Sequence, residues 1–191
     1  MSNSRGSGPA AAPFRYDAVS IFLHWLIAGL VAIIAVLGFE LKSLPFPSPD
    51  YDSVHVLHAS LGEVAFVAVV VTLWWRGHRP AVVAFADAPW RMFAARWTHR
   101  LLLVLLVIVP LAKIVRGAFG IGWTLFGLRL AAPWPANRTV SGLLSDAHEY
   151  GAYALLVLGA IHGAVALWRA FVLKDESLAR ILPRRRRRGA R

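Results

Sequence analysis

The chain contains no cysteine. That excludes disulfides, thiolate-ligated zinc, iron–sulfur clusters and haem attached covalently through a C-x-x-C-H motif. Methionine is nearly as scarce, with only Met1 and Met92, so histidine is left as the candidate metal ligand. Charge is sparse: 16% of the 191 residues are charged, and 58% are apolar. Soluble domains carry about 25% charged and about 45–50% apolar residues, which places this chain outside their class. Acidic residues are few, 10 against 21 lysines and arginines, for a formal charge of +11. The basic run Arg184 to Arg188 has no recognition element around it, so nucleic acid is not an expected partner. No kinase, hydrolase or nucleotide motif is present, nor any internal repeat.

Four long apolar segments are present, at about 17–40, 55–75, 98–118 and 147–172. Each supplies the roughly 20 residues needed to cross a bilayer. An open-ended segment satisfies its own backbone in lipid only as a helix, so the expected fold is all-α, an integral membrane four-helix bundle. Pro110 falls inside the third segment, where a bend is expected. The first segment is too long for a signal-peptide core and has no small-residue cleavage site, so it reads as a retained span. Residues 1–14, rich in Gly, Ser, Pro and Ala, read as a disordered tail, 15–175 as the membrane domain and 176–191 as a basic tail. The loop at about 119–146 carries Trp123, Phe126 and Trp134, which places it along the membrane interface.

Lysine and arginine counts predict orientation. The N-terminal region, the 76–97 loop, the first turn of the third span and the C-terminal region hold 16 of the 21, leaving Lys42, Lys113, Arg116, Arg129 and Arg138 on the opposite side. Both termini are therefore expected in the cytoplasm, with the basic tail close enough to touch anionic lipid headgroups.

Five of the seven histidines fall in or at the edge of the spans. Ionisable groups in hydrocarbon are costly and mark functional sites by default. His148 and His162 are 14 residues apart on the fourth segment. In a helix that separation is about 21 Å along the axis and within about 40° of the same direction, so one helix offers a ligand near each membrane surface. That spacing fits two stacked haems. His58 matches His148 in depth on the outer side. On the cytoplasmic side His24 matches His162, while His99 lies a residue or two from its expected helix start and is left free. Zinc would want one cluster of ligands instead of two distant pairs. Gly62, Gly151 and Gly159 sit within a turn or so of these histidines, where close approach to a haem face and simple helix packing are equally good reasons for glycine.

The segments that carry these histidines resemble the bacterial cytochrome b561 family. Arg15-Tyr16 followed by Leu23-His24-Trp25 is similar to its opening, and His58-Ala59-Ser60-Leu61-Gly62 to its second-helix haem motif. His148-Glu149, Leu158-Gly159-Ala160-Ile161-His162 and Lys174-Asp175 are similar to its fourth helix and exit, so the likeness spans about 15–183. The resemblance implies a bacterial inner-membrane cytochrome with two non-covalent b-type haems that exchanges electrons with ubiquinone. It implies His24 and His162 as cytoplasmic-side iron ligands, His58 and His148 as periplasmic-side ligands, and His99 as a non-ligating histidine toward the quinone end. Within the family the chain looks most like the compact four-helix form that oxidises superoxide at the periplasmic face and passes the electron to ubiquinone. Arg169 stands where that form has a further histidine, and Glu63 where it has a non-acidic residue. A carrier that serves a periplasmic or membrane redox partner is the alternative function.

Superoxide is a small anion, so a positive opening above the outer haem would concentrate it. Lys113, Arg116, Arg129 and Arg138 are the candidates, with interface anchoring as their other role. Arg15 and Arg79, with Arg96 and Arg100, are candidates for haem propionates or for enforcing topology. Glu63 is a candidate proton carrier or a hydrogen-bonded structural acid, the two being equally compatible with its position.

Overall fold

The computed structural model describes residues 15–79 and 88–183. The expected disordered tail at 1–14 and the arginine run lie outside them. Four helices are present: α1 (Ala18–Ser43), α2 (Pro49–Gly77), α3 (Pro89–Gly117) and α4 (Arg138–Phe171). All four are long and apolar enough to cross a membrane. Their 26, 29, 29 and 34 residues correspond to about 39 to 51 Å, more than the roughly 30 Å of hydrocarbon in a bilayer.

α1 begins where its apolar run suggests, and the other three helices begin earlier. Asp17 caps α1, its side chain accepting from the Val19 and Ser20 amides, both at 3.1 Å. Ser48 caps α2 through the Tyr51 amide, with Pro49 at the first helical position and Asp50 and Asp52 in the first turn, where the helix dipole favours negative charge. Pro89 opens α3 nine residues before the expected span, and Asn137 caps α4 through the Val140 amide, nine residues early. Pro110 is carried inside a continuous α3.

The helices form two closely packed antiparallel pairs, α1 with α2 and α3 with α4, and α2 touches α3 less extensively. At one end of the bundle α1 and α4 meet through side chains: Lys42 Nζ donates to Glu149 Oε1 (2.5 Å) and to the Tyr153 hydroxyl (2.6 Å).

One element breaks the all-helical expectation. Trp123–Leu125 (β1) and Leu128–Leu130 (β2) form an antiparallel hairpin, with Thr124 opposite Arg129. Phe126 and Gly127 at its turn both have positive φ, 45° and 88°, the pattern of a two-residue type I′ turn. A glycine at 117 is required beneath it, because a Cβ there would collide with the Trp123 ring, whose Nε1 donates to Ile114 O at 2.7 Å.

At the opposite end, residues 176–183 are not the start of a free tail. They fold into turns against α1: Arg15 Nη2 donates to Ala179 O (2.8 Å) and Leu182 O (2.7 Å), and Trp25 Nε1 to Ile181 O (2.8 Å). Both termini thus leave from this end, and the hairpin marks the other.

Candidate functional site

At the hairpin end, His58 on α2 and His148 on α4 face one another, ring centroids 6.1 Å apart and planes at 75°. His58 Nδ1–H donates to Ile34 O of α1 (3.0 Å), and His148 Nδ1–H to Val109 O of α3 (2.8 Å). Each of the four helices therefore contributes to this pair. With Nδ1 engaged by a main-chain carbonyl, each ring keeps Nε2 as its free lone pair, the arrangement usual for a metal-binding imidazole. Gly38 makes room for the His58 ring, since a Cβ there would lie 3.2 Å from its Cε1.

A cavity of about 540 Å³ surrounds the two rings. Gly62 is in its wall, and a Cβ at Gly62 would meet nothing within 4 Å, so any larger side chain enters the cavity. Metal–imidazole bonds of about 2.0–2.1 Å on both sides of an iron, plus the ring radii, separate axial imidazole centroids by roughly 6 to 6.5 Å. The observed spacing, the free Nε2 atoms and the cavity fit a haem held by this pair.

Three of the four expected cations gather here. Lys113 and Arg116 line the large cavity, and Arg116 Nε is buried with no hydrogen-bond partner among the described residues. Arg129 lines a smaller cavity of about 200 Å³ that shares His55, Ile121, Trp123 and Thr124 with the large one. Arg138 is exposed at the first position of α4 and lines neither cavity. Glu63 is in the wall of the large cavity.

Sequence reasoning missed His55, which lines both cavities and stacks on Tyr51 at 6.0 Å. Its position three residues before His58, on the same helix face, was the available signal. The Lys42–Glu149–Tyr153 group also borders the large cavity, but nothing local pairs residues more than a hundred positions apart.

At the other end, three histidines converge. The His99 and His162 rings are 5.0 Å apart at 74°, and His24 on α1 is within electrostatic reach of both. The expectation that His99 lies shallow is corrected: α3 begins at Pro89, so His99 is ten residues into its helix, level with His162. His99 Nδ1–H donates to Ala95 O of its own helix (2.7 Å). The Arg79 guanidinium lies 4.2 Å from the Trp75 ring centroid, and Trp75 Nε1 donates to Asp17 Oδ1 at 3.2 Å. Arg15 Nη2 is committed to the 179–182 carbonyls.

The pattern of prokaryotic cytochrome b561 matches residues 15–184, nearly the whole chain. The chain belongs to this family. Cytochrome b561 homolog 1 and cytochrome b561 homolog 2 of Escherichia coli (strain K12) are each 29% identical to it, over 177 and 179 residues, covering 90% and 89% of this chain and 99% and 92% of those proteins. A protein of Yersinia pestis named probable superoxide oxidase CybB is 27% identical over 176 residues, 90% of this chain and 98% of that protein. As a prokaryotic cytochrome b561, the chain is an integral inner-membrane b-type cytochrome of electron transport. Its four membrane-crossing helices are the bundle expected of the family.

Proposed function

We propose that this cytochrome b561 oxidises superoxide to dioxygen at the periplasmic face and delivers the electrons to ubiquinone. Two superoxide anions each give up one electron and leave as dioxygen, and one ubiquinone takes up both electrons with two protons. The observation that carries this reading is the meeting of Lys113 and Arg116 with the His58–His148 pair in the walls of one cavity, beside a second cavity lined by Arg129. Cations there draw in a small anion, and the buried, unpaired Arg116 Nε is a donor for a bound oxyanion or a haem propionate. The charge count supports a periplasmic hairpin end and cytoplasmic termini.

His58 and His148 would hold one haem, and His24 and His162 the other. The 5.0 Å spacing of His99 and His162 is shorter than an iron between two imidazoles requires, which favours His24 as the partner of His162. His99 then stands beside the inner pair as a donor toward ubiquinone. When bound, each haem would supply a one-electron station between superoxide and ubiquinone. The Ile34 and Val109 carbonyls orient the imidazoles of His58 and His148.

Purified holoprotein mixed anaerobically with a pulse of superoxide should show rapid haem reduction, followed by one ubiquinol for every two superoxide consumed, with no added protein. Haem that stays oxidised under superoxide but is reduced by ubiquinol would reject this reading. The names of the Escherichia coli relatives carry no substrate. They therefore support a second reading, a quinone-linked carrier for a periplasmic or membrane redox partner, which that negative result would favour.

A further inference from the structure

The β1–β2 hairpin is tied to a residue deep inside α2. The Phe126 amide donates to Ser60 Oγ at 2.7 Å, and the Ser60 hydroxyl donates in turn to Val56 O at 2.7 Å. Ser60 is fully buried, with 0% of its surface exposed. It is eleven residues along from Pro49, about 16 Å down the helix axis at 1.5 Å per residue. The 29 residues of α2 run about 43 Å, exceeding a hydrocarbon thickness of about 30 Å by about 13 Å. Even if that whole excess projected at the hairpin end, Ser60 would still lie inside the hydrocarbon, and with α2 centred it lies about 10 Å inside.

The tip of the hairpin is therefore at membrane depth, and its chemistry matches. Phe126 is 63% and Leu128 60% exposed, and Leu125 is exposed as well, while Leu130 borders the smaller cavity. Within about 6 Å of Ser60 along the axis, α2 exposes Leu57 and Val64. A type I′ turn favours Asn or Gly at both central positions, and a bulky residue at φ 45° is an outlier. A phenylalanine held there despite that strain points to a use for its ring. Trp123 and Thr124 belong to the walls of both cavities. Non-helical backbone at such depth is tolerated where it is buried in protein or lines a cavity, and the strand ladder and Ser60 supply partners for part of this backbone.

We propose that the hairpin is a re-entrant element whose apolar tip contacts lipid acyl chains while its inner face seals the His58–His148 cavity from the bilayer, latched by Ser60. The alternative placement, along the headgroups, is what the test decides. The absence of cysteine makes single-cysteine variants unambiguous. In proteoliposomes of the haem-loaded protein, Phe126→Cys should react with a membrane-impermeant maleimide at least tenfold more slowly than Ala131→Cys, and as slowly as Val67→Cys, which is 60% exposed and deeper along α2. Full labelling of every variant after denaturation controls for thiol loss. Adding Ser60→Ala to Phe126→Cys should raise the labelling rate severalfold with both haems retained. Benzoylphenylalanine placed at position 126 should photo-crosslink to phospholipid acyl chains. Labelling of Phe126→Cys at the Ala131→Cys rate, or crosslinks to protein alone, would overturn the membrane placement. A rate unmoved by Ser60→Ala would overturn the latch.

Discussion

His58 and His148 are placed by hydrogen bonds from their own rings to carbonyls on neighbouring helices, so position and tautomer are set together. If they hold one haem, His58→Ala removes about one haem equivalent and leaves a low-spin b-type spectrum from the other pair. His99→Ala keeps both equivalents, because its ring stands 5.0 Å from that of His162, closer than an iron between two imidazoles requires. Pyridine-haemochrome counting distinguishes these outcomes, and loss of a haem only in His99→Ala would reassign the inner pair. Gly62 supplies a control of a different kind. Gly62→Leu puts a side chain into open cavity without touching a histidine. It should lower haem content at the hairpin end alone, read as a shortfall in one of the two reduced-minus-oxidised components. The histidines and Gly62 were legible in the sequence because ionisable or side-chain-free positions stand out within apolar runs. His55 and the buried Nε of Arg116 were not, since their roles depend on which cavity walls they reach.

At the scale of the elements, the four apolar runs identified the helices, and the caps decided where they begin. Polar first turns at Pro49, Pro89 and Arg138 do not look like membrane spans, yet Ser48 and Asn137 accept from amides that would otherwise be unsatisfied. Those extra turns change the site, because they bring His99 level with His162. The hairpin was read only as an aromatic loop. Its strands are three residues each, too short for a period-2 pattern to register. Its seat depends on Gly117. Gly117→Val would drive the Trp123 ring from its position against Ile114 O and leave that indole N–H unpaired, a cost of about 1–3 kcal/mol. The expected result is a lower thermal midpoint for the holoprotein, with Trp123 becoming accessible to aqueous quenchers of its fluorescence.

For the molecule as a whole, the end carrying the termini is closed by chain segments that are far apart in sequence. Arg15 and Trp25 hold residues 179–182. That segment is turned back by Asp175, which accepts from Arg169 Nε at 2.6 Å and from the Ser177 amide at 2.9 Å. Arg15→Ala should expose residues 176–183 to limited proteolysis while both haems and their potentials are retained; a shifted inner-haem potential would instead assign Arg15 to a propionate. Partial burial pushes the Asp175 carboxyl up, but the Ser177 and Arg169 hydrogen bonds outweigh it and hold the group below its ordinary value of 3.8. Stability from a carboxyl depressed in the folded state is complete above that ordinary value and is lost as pH falls through the lowered one. The protection of 176–183 against hydrogen exchange, taken relative to the intrinsic rate at each pH, should accordingly hold from neutral pH down to about the ordinary value and fall below it.

By itself the sequence determined the class of this protein: composition and four runs of sufficient length admit a helical membrane bundle, and the absence of cysteine with histidines at two depths points to non-covalent haem. These are properties of single segments, where hydropathy and helical geometry act locally. The tertiary structure decided what depends on several segments at once. It set which carbonyl the His58 and His148 rings each engage, the convergence of three histidines at the end that carries residues 15 and 183, the separation of Arg138 from Lys113 and Arg116, and the tie of the hairpin to Ser60. Each is a contact between residues distant in the chain, and no periodicity within one run encodes the partner that another run will present.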